Sequence, residues 1–248
     1  MAKMRRELAV LDDDEIGDVI TYGCSAHLLN LFSKDIEADG NIKKKVKNII
    51  KYFKYHHFPA AKYKEAGGKA LVIPQDTRWN TLADCLESYT SNWHCLEKVC
   101  TEYKPILDLT IARSVQNIEL KENVEIYLTK LKKISVALNR VQKEMCVISE
   151  CTDIWKTLLS LEWSQEEQNK LIARYHTAMT PAHFAAYLLD PKYNGVALTE
   201  EEETLAMEFI ESHGPQVMRD VLAYRAKTFP FKEYLFKDAL LKITHVSL

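Results

Sequence analysis

Glycine and proline are scarce, at seven residues each in a chain of 248. A β-rich fold spends more of both on its turns, so the shortage leans towards helix. No apolar run approaches the ~20 residues that cross a bilayer, so no membrane association is expected. Residues 1–10, MAKMRRELAV, lack the apolar centre of a secretory leader, and none is expected. An excess of charge is missing too. Thirty-three Lys and Arg stand against 35 Asp and Glu, for a net charge of −2. A dedicated DNA-binding module is basic as a whole, so any nucleic-acid contact must come from a local patch. There is no fixed-period repeat and no low-complexity tract. No glycine-rich phosphate loop and no Ser or Cys in an elbow motif offers a start for nucleotide or acyl chemistry, and no small-molecule substrate is expected.

What is there is ordinary globular material. Hydrophobic residues make up 47% and charged residues 27%, enough for one sizeable core or two small ones. Six cysteines, Cys24, Cys85, Cys95, Cys100, Cys146 and Cys151, follow no framework spacing. Free thiols in a reducing compartment are the expectation.

Periodicity divides the chain. Residues 2–10 read as a short helix, followed by the acidic run Asp12–Glu15, a loop or cap. DVITYGC at 18–24 is the one convincing β-prone run of the first half, a strand over 18–23. A lone strand leaves its backbone groups unpaired, which predicts an exposed edge and self-association or pairing with another protein. From residue 28 the pattern is helical. Ile42, Val46, Ile49, Ile50 and Phe53 recur at helix spacing, with Lys44, Lys47, Lys51 and Lys54 on the other side. Residues 56–77 read as a loop broken by Pro59, Gly67 and Pro74. Leu82, Leu86, Tyr89, Trp93, Leu96 and Cys100 mark a long helix of about seven turns. A further stripe runs from Val124 through Tyr127, Leu131, Ile134, Leu138 and Val141 to Met145. Ser164 with Glu167, and Thr199 with Glu202, are capping boxes. Thr180–Pro181 is a third helix start. The expected fold is mainly α, with long helices arranged as a bundle.

Three segments carry a family resemblance. Cys24-Ser-Ala-His27-Leu-Leu-Asn30-Leu31 is similar to the CxxH-LNL signature of hAT-family DNA transposases. Asp76-Thr-Arg78-Trp79-Asn80-Thr81 resembles the RW motif of that family. His183-Phe-Ala-Ala-Tyr187-Leu-Leu-Asp190-Pro191-Lys192-Tyr193 resembles the segment that closes its helical insertion. The three occur in the family's order and together span about residues 1–232. The resemblance implies an RNase H-like α/β core interrupted by a helical insertion. On that template 1–27 is a remnant of the core, 28–180 the insertion, 181–232 a return segment and 233–248 a divergent tail. It also implies a chemistry, in which two Asp and one Glu hold two Mg or Mn ions at a phosphodiester. The sequence offers no counterpart for these carboxylates. The expectation is a protein without catalysis, metal or cofactor, the metals belonging only to a full-length active relative.

Each candidate site has a functional and a plainer reading. Cys24 and His27 are remnants of the family motif beside the scissile phosphate; otherwise His27 is a satisfied histidine at a strand-to-helix turn and Cys24 a small buried side chain. They are also half the four ligands of a structural zinc, with no second pair at suitable spacing. The resemblance gives Arg78 and Trp79 a DNA contact, with Trp79 stacked on an unpaired base. The alternative is a helix start, Trp79 packed on the bundle and Arg78 paired with Asp76. The lysine face, with Lys44, Lys47 and Lys51, suits a phosphate backbone, an import signal or plain solvation. His183 is read as a capping or packing residue.

Three functions remain open. The first is a transposase-derived helical protein or fragment that binds DNA or protein. The second is a fragment of an active hAT transposase, cleaving and joining phosphodiesters with two metals. The third is a helical protein-interaction scaffold with no DNA role. The resemblance implies a nuclear location; otherwise the chain is cytoplasmic.

Overall fold

A computed structural model describes residues 22–36, 41–74 and 81–232. These residues form eleven α-helices and no strand, so the chain is mainly helical. Among them no helix is long and apolar enough to cross a membrane. The expected helix at 2–10, the acidic run, residues 18–21 of the expected strand, Asp76, Arg78, Trp79 and the tail 233–248 lie outside the described residues. Tyr22 and Gly23, the described end of that strand, belong to no regular element.

The chain divides into two compact units. One is continuous, Leu29–Arg140; the other joins the residues before 29 to those after 140.

In the continuous unit, α1 (Ser25–Asp35) enters from the split unit and buries Leu29 and Phe32. α2 (Ile42–Tyr55) buries Ile42, Val46, Ile49, Ile50 and Phe53, the five residues its spacing selects. α4 (Thr81–Glu102) packs on α2 and on α3 (His57–Glu65). α4 has 22 residues, about six turns rather than seven. It buries Leu86, Tyr89, Leu96 and Cys100 but leaves Leu82 and Trp93 partly exposed. Trp93 Nε1 donates to the carbonyl of Val115 at 3.0 Å, tying α4 to α5 (Leu109–Val115). α6 (Ile118–Val141) follows with Leu120, Val124, Tyr127, Leu131, Ile134 and Leu138 buried. Met145 falls beyond that helix and is 68% exposed.

The expected loop at 56–77 is a correction, because His57–Glu65 forms α3. Pro59 does not prevent this. It is the third residue of the helix, where the backbone N–H has no intrahelical acceptor to lose. The helix stops at Gly67, whose φ of +86° suits a residue without a Cβ. Gly67 N–H donates to Lys64 O and Gly68 N–H to Tyr63 O, both at 2.9 Å, a Schellman closure. A Cβ on Gly68 would meet the Tyr63 ring at 2.2–2.5 Å, so the ring needs glycine there. The Tyr63 hydroxyl then donates to Lys69 O at 2.5 Å.

In the split unit, α7 (Ile148–Leu159) packs on α8 (Gln165–Ala178) and α9 (Pro181–Leu189). α9 also packs on α10 (Glu200–Glu211), which meets α11 (Pro215–Arg225). The core gathers on Trp155, Ile154, Leu158, Leu171 and Phe184. Trp155 is fully buried, and its Nε1 donates to Ser25 Oγ at 3.1 Å, fixing the start of α1 against α7. Both expected capping boxes form, Ser164 with Glu167 and Thr199 with Glu202.

Candidate nucleic-acid interface

The charge that the whole chain lacks is concentrated in one unit. Residues 29–140 carry 19 Lys and Arg against 13 Asp and Glu, leaving 14 against 22 elsewhere. Within that unit the imbalance narrows further, because residues 41–70 hold nine lysines and one acid, Glu65. Lys62 pairs with that acid at 2.6 Å.

α2 supplies the first part of this surface. Its apolar stripe faces α4 and α5, so its lysines must lie on the remaining sides. Lys44 and Lys51 are exposed, while Lys47 is half-buried. Buried Cys85 on α4 senses that edge. Burial pushes its thiol up to about 12, and the charges of Lys47 and Lys43 pull the other way. Lys44 and Lys51, seven residues apart, therefore present the open face, and Lys47 marks its margin against α4.

The α2–α3 corner supplies the second part. α2 ends at Tyr55, His56 adopts an extended backbone, and α3 begins at once. The His56 ring lies on Tyr52, with centroids 4.6 Å apart, and its Nδ1 sits 3.2 Å from Tyr52 O. Tyr55 next to it stays 65% exposed. A concavity of about 380 Å³ opens at this corner, walled by Tyr55, His56 and His57, with Ala60 and Ala61 on α3. A second, of about 350 Å³, adjoins it and reaches Phe53, Tyr63, Gly68 and Leu71. Lys54, Ala60 and Lys64 line both. Lys54 Nζ donates to Leu71 O at 3.1 Å, and Lys69 also lines the second concavity.

The helical spacing points to Lys44, Lys47 and Lys51 but not to this corner, because Pro59, Gly67 and Pro74 suggest a loop over 56–77. A signal was present: Tyr55-His56-His57-Phe58 with Lys54, Lys62, Lys64 and Lys69 is an aromatic run set among lysines.

The other candidates are placed as follows. Cys24 and His27 sit at the start of α1, in the split unit, and both are exposed. Cys24 is therefore not the buried small side chain of its plainer reading. Its carbonyl accepts the Leu28 N–H at 3.1 Å. Arg78 and Trp79 lie outside the described residues. All six cysteines are free thiols. Among the described residues no group of three or more His, Cys, Asp or Glu is gathered closely enough to hold a metal ion.

The third family-like segment has a structural role. His183 is buried in the first turn of α9, where its Nδ1 accepts from Thr180 N–H at 3.3 Å and lies 2.8 Å from Thr180 Oγ1. The capping reading of His183 therefore holds. Asp190 accepts from Ser149 Oγ at 2.6 Å and from Lys192 N–H at 2.9 Å, and Tyr193 stacks on Tyr187 with centroids 4.7 Å apart.

The chain matches no family model, no curated protein and no solved structure.

Proposed function

We propose that this chain is a transposase-derived nucleic-acid-binding protein, that its contribution is binding rather than phosphodiester chemistry, and that the basic surface of α2 and α3 is its contact. One observation carries the reading: nine lysines against one already paired glutamate over residues 41–70, in a chain of net charge −2. Charge concentrated in one stretch of the chain provides a local field for a polyanion whatever the sum over the chain. The ancestry rests on the three hAT-like segments, with residues 1–27 as the remnant of an RNase H-like core. Cys24 and His27 are then relics of a catalytic motif, and Arg78 and Trp79 a second contact. The nucleus is the location that goes with this role.

The test is a salt titration of binding to a duplex oligonucleotide, wild type against a triple variant, Lys44→Glu, Lys47→Glu and Lys51→Glu. The variant is expected to bind more weakly at every salt concentration. Its slope of log K against log salt should be shallower by up to about three contacts, each worth roughly 0.9 of slope. Unchanged affinity and slope would remove the lysine face from the reading and favour the protein scaffold. Incubation with Mg²⁺ or Mn²⁺ and hairpin-ended DNA is expected to leave the DNA uncut; metal-dependent nicking would establish the active-transposase reading instead.

A further inference from the structure

Lysines along α2 explain attraction to any polyanion, but they do not explain the shape of the α2–α3 corner. A surface that only tracks a duplex backbone needs a charged ridge. Here the ridge ends in two adjoining concavities of about 380 and 350 Å³. Both are at the lower end of the ~300–1,000 Å³ that small-ligand sites occupy. The first is walled by the exposed rings of Tyr55, His56 and His57; the second is floored by Phe53 and Tyr63, whose rings are only 1% and 5% exposed. Between them lie Ala60, too small to fill either, and two lysines, Lys54 and Lys64. An exposed aromatic wall therefore stands on one side of a cationic divide and an apolar floor on the other.

We propose that this corner binds two successive unpaired nucleotides of a single-stranded nucleic acid, one base in each concavity, with the intervening phosphate on Lys54 and Lys64. The proposal rests on the nucleic-acid reading above and narrows its substrate to unpaired strands. Three observations favour it over a duplex, an acidic peptide or an anionic lipid surface. A duplex keeps its bases stacked inside and has nothing to insert. An acidic peptide would use the lysines and leave the aromatic walls idle. A lipid surface is best met by several protruding aliphatic side chains, whereas the exposed wall here is made of Tyr55, His56 and His57, which carry polar atoms. Tyr55, which is 65% exposed, offers a π-face that is sequence-tolerant, because every base has one to match. His56 is held on Tyr52, which makes that wall a fixed platform. Gly68 lets the Tyr63 ring pack against its backbone at the floor of the second concavity, since a Cβ there would meet the ring at 2.2–2.5 Å.

The experiment is fluorescence anisotropy of the full chain at low salt with four probes. These are a twelve-nucleotide single strand of thymidines, the same backbone without bases, the matching duplex, and vesicles containing phosphatidylserine. The thymidine strand should bind on the order of ten-fold more tightly than the abasic strand and more tightly than the duplex. Tyr55→Ala should remove most of that advantage, weakening the thymidine strand several-fold more than the abasic strand or the duplex. Ala60→Phe, which fills the space shared by both concavities, should do the same, with circular dichroism verifying that the helices persist. The lysine variant of α2 should weaken all three nucleic acids together. Equal affinity for thymidine and abasic strands, with no effect of Tyr55→Ala or Ala60→Phe, would overturn the base-binding proposal while leaving phosphate binding standing. Absence of binding to every nucleic acid, with or without binding to the vesicles, would overturn both.

Discussion

His183 shows how one buried side chain sets a condition on the whole split unit. It is 1% exposed, and its Nδ1 accepts the Thr180 N–H, so the neutral ring carries its proton on Nε2. That Nε2 is buried without a hydrogen-bond partner, and the Tyr22 ring packs against the imidazole edge-to-face at 4.7 Å. Burial holds the imidazole down to about 4, from an ordinary 6.5. Protonation therefore favours the unfolded chain. Stability from this residue is whole above about pH 6.5 and declines as pH falls towards 4. The full loss is on the order of 3 kcal/mol. Glu202 acts in the same direction at lower pH. Burial works to raise its carboxyl, but bonds from Lys156, Tyr175 and the Thr199 N–H outweigh that and hold it below its usual value. Its contribution is lost only as pH falls below the ordinary 4.5. Melting temperatures between pH 7.5 and 5 separate the two. Wild type should lose stability over that range, and His183→Gln should follow a flatter curve. Parallel curves would show that His183 does not titrate with unfolding.

At the scale of elements, the start of α10 does more than cap a helix. Thr199 Oγ1 accepts from Glu202 N–H at 3.3 Å, and Glu202 Oε2 accepts from Thr199 N–H at 2.8 Å. The same carboxylate takes Lys156 of α7, and its other oxygen takes the Tyr175 hydroxyl of α8 at 2.6 Å. One residue thus closes a cap and binds two neighbouring helices through charge-assisted bonds in a mostly buried setting. Thr199→Ala is expected to cost about 1 kcal/mol, the usual value of a lost cap. Glu202→Ala should cost about 3 kcal/mol or more, since it strands the Lys156 ammonium and the Tyr175 hydroxyl at a site shielded from water. Urea unfolding of both variants checks the order. Equal costs would mean that the network adds nothing to the cap.

For the molecule as a whole, the decisive quantity is where charge lies, not how much there is. A pI near 6.5 predicts no retention on a cation exchanger at pH 7.5 if charge is spread evenly. With six net positive charges on residues 29–140 and eight net negative charges elsewhere, retention on a phosphate-bearing matrix at low salt is expected. The Lys44, Lys47 and Lys51→Glu variant should elute at lower salt. Flow-through of the wild type would show that the lysine face does not act as a unit.

Much of this was legible in the chain itself. Scarce glycine and proline, the stripe Ile42–Phe53 and the boxes at Ser164 and Thr199 dictated helices, because periodicity and capping are local properties. The lysine face was legible for the same reason: residues opposite a buried stripe have nowhere to go but out. The corner at 54–71 was not. Pro59 and Gly67 read as loop breakers, yet the first turn of a helix tolerates proline and a helix end favours glycine, so both residues bound α3 instead of abolishing it. The two concavities depend on Tyr63 folding under Gly68 and on α3 turning back at His56, contacts that arise only once helices pack. Spacing along the chain named the helices and their charged sides; tertiary packing alone decided that aromatic rings and lysines meet around open space.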